Sequence, residues 1–408
     1  MILYDQLLIF FLQLSVFILI FSILIAFFAS LSLLFLAMRT QRYDYFRHGV
    51  RLDVSFFGGD SGVEEIHACV HMTDTFLPYV RQLEDLLAAT DLFLEEKEIA
   101  GSRLVLKRYF LSDAANQADL LLKKEEGRPY ALSVVQQPPL DGSKIALWMY
   151  LQKGKANECY VHHWWARHYC PEGDSREQMA SLFKEYQSEL EQQGMEVARH
   201  CLRTWLYVHD IDVNYEGVVK ARNECFARWG LTPQTHYIAS TGIQGRQASA
   251  RVKVSMDAYA VGGLTEAQVR YLQAPTHLCP THLYGVAFER GVSVEYGDRK
   301  HLYISGTASI DREGRVVHIG DVVRQAMRMW ENVEKLLEEG GADSSDLAHV
   351  FVYLRDASDY PFVRSLLTER MPGVPVHFLL APVCRPEWLI EMECMAVIPH
   401  CNSAYGRF

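Results

Sequence analysis

A chain of 408 residues, 49% hydrophobic and 22% charged, is long enough for two or three globular cores. Its formal charge of −10, with no basic stripe, excludes a nucleic-acid-binding surface. Nine cysteines without a CxxC spacing exclude a zinc module and a disulfide scaffold and fit a reduced, intracellular protein.

The first feature in chain order is an apolar run, Leu7 to Met38, without a charged residue. It exceeds the roughly 20 residues that a membrane-spanning helix needs. Arg39, Arg42, Arg47 and Arg51 follow it and Asp5 alone precedes it, so an anchor here would leave the C-terminal bulk facing the cytoplasm. A signal peptide is disfavoured, because the basic start and small-residue cleavage site are missing. The other reading is an upstream extension ahead of a cytoplasmic protein that begins at Met38.

From Arg47 onward one unit is written three times, with boundaries at 39–154, 155–275 and 283–400. In the first pass the spacing predicts a helix over Thr75–Leu87, a strand over Arg103–Asp113 and a second helix over Ala114–Leu122. Strands follow over Tyr130–Val135 and Lys144–Leu151. The second pass gives a helix over Arg176–Gln193 with Met179, Leu182, Phe183, Tyr186 and Leu190 on one stripe, then a strand over Cys201–Asp210. A helix over Tyr215–Trp229, stopped by Gly230, precedes a closing strand over Ala250–Val261. In the third pass the order is a strand Lys300–Ile310, a helix Asp321–Glu339, a strand His349–Asp356, a helix Tyr360–Arg370 and a closing strand Trp388–Val397. The joints fall at Lys153–Asn157 and Gln273–His282. Helices on one face of each sheet leave the other face bare, so the expected class is α+β, with three units covering one another around a pseudo-threefold axis.

In the last strand Glu391 and Glu393 sit two apart and share a face. Read alone, that face is the solvent side of a half-buried strand. Aligning the three closing strands puts Ser255 and Ala146 where Glu391 stands, so one pass alone keeps its acid. His162-His-Trp-Trp-Ala-Arg-His168 lacks the carboxylate and helical spacing of a zinc motif and reads as a half-exposed strand or loop. No metal or cofactor is expected.

Ile304-Ser-Gly-Thr-Ala-Ser-Ile310 with Gly314-Arg-Val-Val317, Asp346–Asp356 and Ile390–Val397 resemble the Rid (YjgF-type) family. Arg203-Thr-Trp-Leu-Tyr207, Tyr215 through Arg222, Ala239–Arg246, Ser305–Ile310 with Gly320-Asp321 and Gln325, and Cys384-Arg-Pro386 with Glu391 resemble the chorismatases more closely, over Arg203–Pro399. The resemblance implies three Rid-like (chorismate-mutase-like) units, sheets inside and helices outside, in a pseudo-trimeric monomer or a higher homo-oligomer. It implies a small anionic substrate, chorismate or a similar carboxylate, whose enol ether is cleaved with release of pyruvate. Glu391 is then the general acid, Cys384 its neighbour, Arg222 and Arg246 the carboxylate anchors, and Tyr207, Tyr215, Ser305, Gly306 and Thr307 further binding groups. Arg203 and Arg385 read as ordinary ion pairs. Rid imine deaminases carry an Arg where this chain has Pro375-Val-His377, which raises His377 as its substitute. A Rid-type enamine, imine or small-carboxylate hydrolase and a non-catalytic Rid-like scaffold are the alternatives.

Overall fold

The computed structural model describes residues 38–58, 62–155 and 157–408. Apart from Met38, the apolar run at 7–38 lies outside the described residues, as does Ala156 of the first joint. Among the described residues no helix is long and apolar enough to cross a membrane.

Met38–Phe408 forms one compact unit of mixed α and β structure built on three sheets. The first holds β1 (Arg39–Tyr45), β2 (Val50–Gly58), β3 (Glu64–Met72), β4 (Arg103–Leu111), β5 (Ala131–Gln136) and β6 (Ile145–Lys153), with helices α1 (Tyr79–Glu95) and α2 (Ala114–Lys124). The second holds β7 (Val161–Tyr169), β8 (Cys201–Val208), β9 (Ala239–Gln244) and β10 (Val254–Gly262), with α3 (Ser175–Gln192) and α4 (Ile211–Arg228). The third holds β11 (Val269–Leu272), β12 (Gly291–Glu295), β13 (Arg299–Ala308), β14 (Leu347–Leu354), β15 (Val376–Leu380) and β16 (Ile390–Pro399), with α5 (Val322–Gly340) and α6 (Tyr360–Thr368).

The strand orders repeat. The first sheet runs β1-β2-β3-β6-β4-β5 and the third β11-β12-β13-β16-β14-β15, while the second, β7-β10-β8-β9, lacks the leading hairpin. In each, the closing strand sits centrally between two antiparallel neighbours, and an edge strand pairs parallel with the strand before it. The registers coincide as well. Glu391 pairs with Tyr353, Ser255 with Tyr207 and Ala146 with Phe110, so the three positions aligned by sequence are equivalent in the sheets.

Local chemistry explains the helices. Asp174 caps α3 with a reciprocal capping box to Glu177. Asp321 caps α5 by accepting from the Arg324 N–H, and Gly341 ends it at φ +85, a conformation that costs other residues a Cβ clash. Between these stops α5 buries Ala326, Met329, Trp330, Val333, Leu336 and Leu337, each large side chain stabilising by about 1.5–3 kcal/mol. The structure starts the first helix at Tyr79 rather than Thr75, because Pro78 is its N-cap and disfavours helix in the residue before it. It starts α4 at Ile211, a turn earlier than the apolar spacing predicts, since Val213 on that turn is exposed and gives no apolar period.

The first and second sheets have their own helix-side cores, and the opposite faces of all three share one cluster that includes Trp148, Trp205, Tyr207, Tyr303 and Phe351. Each pair of sheets is stitched by a buried ion pair: Arg299–Glu65 at 2.6 Å, Arg108–Asp257 at 3.0 Å and Arg203–Glu393 at 2.7 Å. Each pair is also joined by a main-chain bridge from the loop before one closing strand to the edge strand of the next sheet. The bridges are Val383 to Ile243, Pro139 to Leu379 and Arg246 to Gln136.

Candidate active site

Strand β13 carries a bulge between Ile304 and Thr307 that breaks its pairing with β16. The bulge is fixed by side chains. The Ser305 hydroxyl donates to the Glu289 carbonyl (2.6 Å) and accepts from the Ser240 N–H (2.9 Å), while the Gly306 N–H donates to Thr241 Oγ1 (2.9 Å). Gly306 is needed here, because a Cβ would collide with the Glu391 carboxyl group. The neighbouring loop is set by Gln325, whose amide donates to the Glu387 carbonyl (2.8 Å) and accepts from the Leu389 N–H (2.9 Å).

Glu391 and Glu393 are both buried, not on a solvent face, and they part company in what they meet. Glu393 is saturated, by Arg203 (2.7 Å) and by the Trp205 indole N–H (2.8 Å). Glu391 faces a cavity of about 540 Å³, counting its open mouth, between the second and third sheets. Burial, reinforced by the nearby Glu393 charge, pushes the Glu391 carboxyl up to about 8, so it holds its proton at neutral pH.

Guanidiniums line the rest of that cavity. Arg222, on α4, is 1% exposed, and its Nε and Nη2 find no hydrogen-bond acceptor among the described residues. Those two atoms form one side of the guanidinium fork, the side that takes a carboxylate bidentately. Arg290 donates to the Cys279 carbonyl (3.1 Å) while its Nε has no acceptor among the described residues. Arg385 stacks over Tyr284 and Trp388, each at 4.8 Å, rather than forming the ion pair expected of it. Tyr215 lies across Gly242, where a Cβ would stand 2.9 Å from its ring, and its hydroxyl meets the Cys384 thiol. Burial pushes that thiol up to about 12, which removes it as a thiolate nucleophile.

The structure therefore brings together Glu391, Cys384, Arg222, Tyr215 and Gly306. It places the other expected residues elsewhere. Ser305 and Thr307 point into the protein as bulge supports, fully buried, with Thr307 Oγ1 donating to the Ser305 carbonyl (2.9 Å). Arg246 lies at the junction of the first and second sheets, bridged to Gln136, because its loop leads into β10 and not β16. Tyr207 is buried at that same junction, 3.4 Å from Asp257. His377 is part of strand β15, not a loop. Its Nε2–H donates to the Leu147 carbonyl (3.0 Å) on the far junction, and burial holds its imidazole well below the usual range.

One wall lies just after the Gln273–His282 joint, in a stretch to which the sequence reading assigns no element and no site residue. Tyr284, Val286, Phe288 and Arg290 line the cavity, held by the Thr281 hydroxyl donating to the Phe288 carbonyl (2.6 Å) and the Glu289 N–H donating to the Ile238 carbonyl (3.0 Å). The available signal was an aromatic and Arg cluster just before a strand. Among the described residues no group of His, Cys, Asp and Glu side chains is placed to hold a metal ion.

Residues 291–398 match the family model described as Endoribonuclease L-PSP. Over 97 residues the chain is 29% identical to the 3-aminoacrylate deaminase RutC of Acinetobacter baylyi, covering 23% of this chain and 77% of that protein. The crystal structure of a chorismatase superposes with a TM-score of 0.57 at 19% identity, covering 72% of this chain and 92% of the other. RidA of the Antarctic bacterium Psychrobacter is 20% identical over 32% of this chain and 99% of its own, with a TM-score of 0.27. The chain is thus related to the Rid superfamily, with the fold of a chorismatase.

Proposed function

We propose that the chain is a chorismatase-like enzyme that hydrolyses the enol ether of chorismate, or of a similar enolpyruvyl carboxylate, and releases pyruvate. The observation that carries this reading is a protonated carboxyl, Glu391, facing a cavity walled by Arg222, Arg290 and Arg385. An enolpyruvyl ether needs a proton on its methylene carbon, and an acid with a pKa near 8 is poised to give one. Water then adds to the adjacent ether carbon, and the resulting hemiketal collapses to pyruvate and the ring alcohol. Arg222 takes one substrate carboxylate through its Nε and Nη2, and Arg290 faces the second. The Tyr284, Phe288 and Trp388 rings suit a flat carbocycle. Glu393, held by Arg203, lies close enough to raise Glu391.

This site is one of three in the reading. Met38–Phe408 is three Rid-like units closed in a ring, sheets inside and helices outside, supported by the cyclic order of the three main-chain bridges. The 39–154, 155–275 and 283–400 units meet at three junctions, and only the second–third junction carries the acid.

The full chain incubated with chorismate, with pyruvate followed by coupled lactate dehydrogenase, tests the proposal. Release is expected in the wild type, and Glu391→Gln lowers it by about 10²–10⁴-fold. Folded protein that releases no pyruvate overturns the reading. A second reading, Rid-type hydrolysis of an enamine or imine, is favoured by the family match over 291–398 and by the deaminase relative. Ammonia release from such a substrate, with chorismate inert, would establish it instead.

A further inference from the structure

A second cavity, about 390 Å³ counting its mouth, lies where the three sheets face one another. His67 and Trp148 reach it from the first sheet, Trp164 and Trp205 from the second, Tyr303 and His349 from the third. It shares no lining residue with the Glu391 cavity. The strand registers explain its place. His67, Trp164 and Tyr303 pair with Tyr150, Tyr259 and Met395, each four residues on from the aligned positions Ala146, Ser255 and Glu391. One equivalent position from each sheet therefore faces the middle of the three, and not a junction of two.

The wall carries no charge to spare. Arg203 and Glu393, both part of it, neutralise each other at 2.7 Å, and the Trp205 indole N–H donates to the other Glu393 oxygen (2.8 Å). Glu65, on the same strand as His67, is taken by Arg299 (2.6 Å) and by His301 (2.8 Å). Burial pulls the His67 imidazole down to about 4 and holds that of His349 well below the usual range, so both are neutral at pH 7.

Rings and unspent hydrogen-bonding groups are what remain. The His67 ring stacks on Tyr150 and His349, with centroids 4.7 Å and 5.0 Å away. It is 2% exposed, and neither of its nitrogens has a hydrogen-bond partner among the described residues. A neutral imidazole carries one N–H donor and one acceptor, so one of each is left over. The buried Trp148 indole N–H and His349 Nδ1 are likewise without partners among the described residues. Among those residues no group of His, Cys, Asp and Glu side chains is placed to hold a metal ion.

Buried polar atoms without partners beside open space call for an occupant that supplies both a donor and an acceptor. Aromatic walls favour a flat one, and the balanced charge favours a neutral one. We propose that the space between the three sheets binds a small, neutral, planar ring with one donor–acceptor group, of the phenol or azole class. The ring stacks among the aromatic side chains, and its polar group accepts from Trp148 and pairs with His67.

Equilibrium dialysis of the full chain against phenol at pH 7.5, where the hydroxyl is un-ionised, tests this. One saturable site is expected, and His67→Phe should weaken it about tenfold, because the ring is kept and both nitrogens are lost. Met395→Phe, which fills the space from the third sheet, should weaken it as much and keeps the test open if His67→Phe misfolds. Toluene, which lacks the hydroxyl, and benzoate, which adds a charge, should each bind about tenfold less tightly than phenol. The proposal is overturned if phenol does not bind, the mark of a space for water alone, or if neither substitution weakens it. Toluene or benzoate binding as tightly as phenol also overturns it. So does a site that Trp388→Ala removes and His67→Phe leaves intact, since that site is the Glu391 cavity. None of these readings depends on pyruvate release.

Discussion

The second–third junction and the first–second junction are made from the same parts and have opposite contents. At the second–third junction the closing strand offers Glu391, the bulge opens at Gly306, and Arg222 points its unpartnered nitrogens into a cavity. At the first–second junction Ser255 holds the Glu391 register, and Gln247 fills the space, donating to the Ser255 hydroxyl (3.0 Å) and the Val134 carbonyl (2.9 Å). Gly245 there is pressed by Val135 and Tyr207 rather than by a carboxyl. One junction leaves Arg222 Nε and Nη2 without partners, among the described residues, beside a cavity, and the other fills its space with Gln247. Unsatisfied buried groups are costly, and those of Arg222 face open space, where a ligand can supply the acceptor.

The largest expected effect comes from closing the gap that distinguishes them. Gly306→Ala places a methyl against the Glu391 carboxyl, which must swing from its position. Pyruvate release should fall by about 10³-fold, with the far-UV circular dichroism spectrum unchanged. A variant within fivefold of wild type would show that the carboxyl need not sit where Gly306 lets it.

Next comes the unpaired cation. Arg222→Met should lower kcat/KM by about 10²-fold through lost carboxylate binding, with Arg222→Lys only partly restoring it because a point charge lacks the fork. Stability should move the other way. Removing a buried guanidinium whose Nε and Nη2 have no acceptor should raise Tm, whereas Arg203→Met, which strands Glu393, should lower it by about 3–5 kcal/mol in stability. If both substitutions destabilise alike, the two arginines are doing the same structural job and the contrast fails.

The raised carboxyl gives a pH signature. In the unfolded chain Glu391 ionises near 4.5, and in the fold only near 8. Between those values the folded state holds the extra proton, so stability from this group falls as pH rises through the window and is level below and above it. Glu391→Gln abolishes that loss. The two proteins should melt together at pH 4, and by pH 8 the variant should be more stable by about 4 kcal/mol. Wild-type kcat/KM should also drop about tenfold per pH unit above 8, as the acid gives up its proton. Parallel melting curves from pH 4 to 9 would mean an ordinary carboxylate and no stored acid.

Much of this was legible in the chain. The repeat, the closing strands and the singular acid are written in spacing and register, which local periodicity encodes directly, whereas Ser305-Gly-Thr307 reads as binding groups and only the strand pairing reveals the bulge. What the sequence hid is which copies of the repeat face each other. A motif names a residue type but not a junction, so Arg246 and Tyr207 look like partners of Glu391 although their loop and strand belong to the first–second junction. Arg290 and Tyr284 were hidden for the converse reason. They lie in a connecting segment that no repeat predicts, and only the bridge from Glu289 to Ile238 turns that segment into a wall.

Arg246 supplies the smallest effect and the sharpest control. It sits in a chorismatase-like motif, and if motif membership decided function its loss would equal that of Arg222. The fold instead bonds its main chain to Gln136, on the first sheet, and leaves Glu391 to another junction. Arg246→Ala should therefore leave kcat/KM for pyruvate release within about twofold, the scatter of substitutions that touch no substrate. Any loss should appear in stability alone, since the bridge itself is main chain and survives truncation of the side chain. A drop of 10²-fold would put Arg246 beside the substrate, and the assignment of the three junctions would have to be redrawn around it.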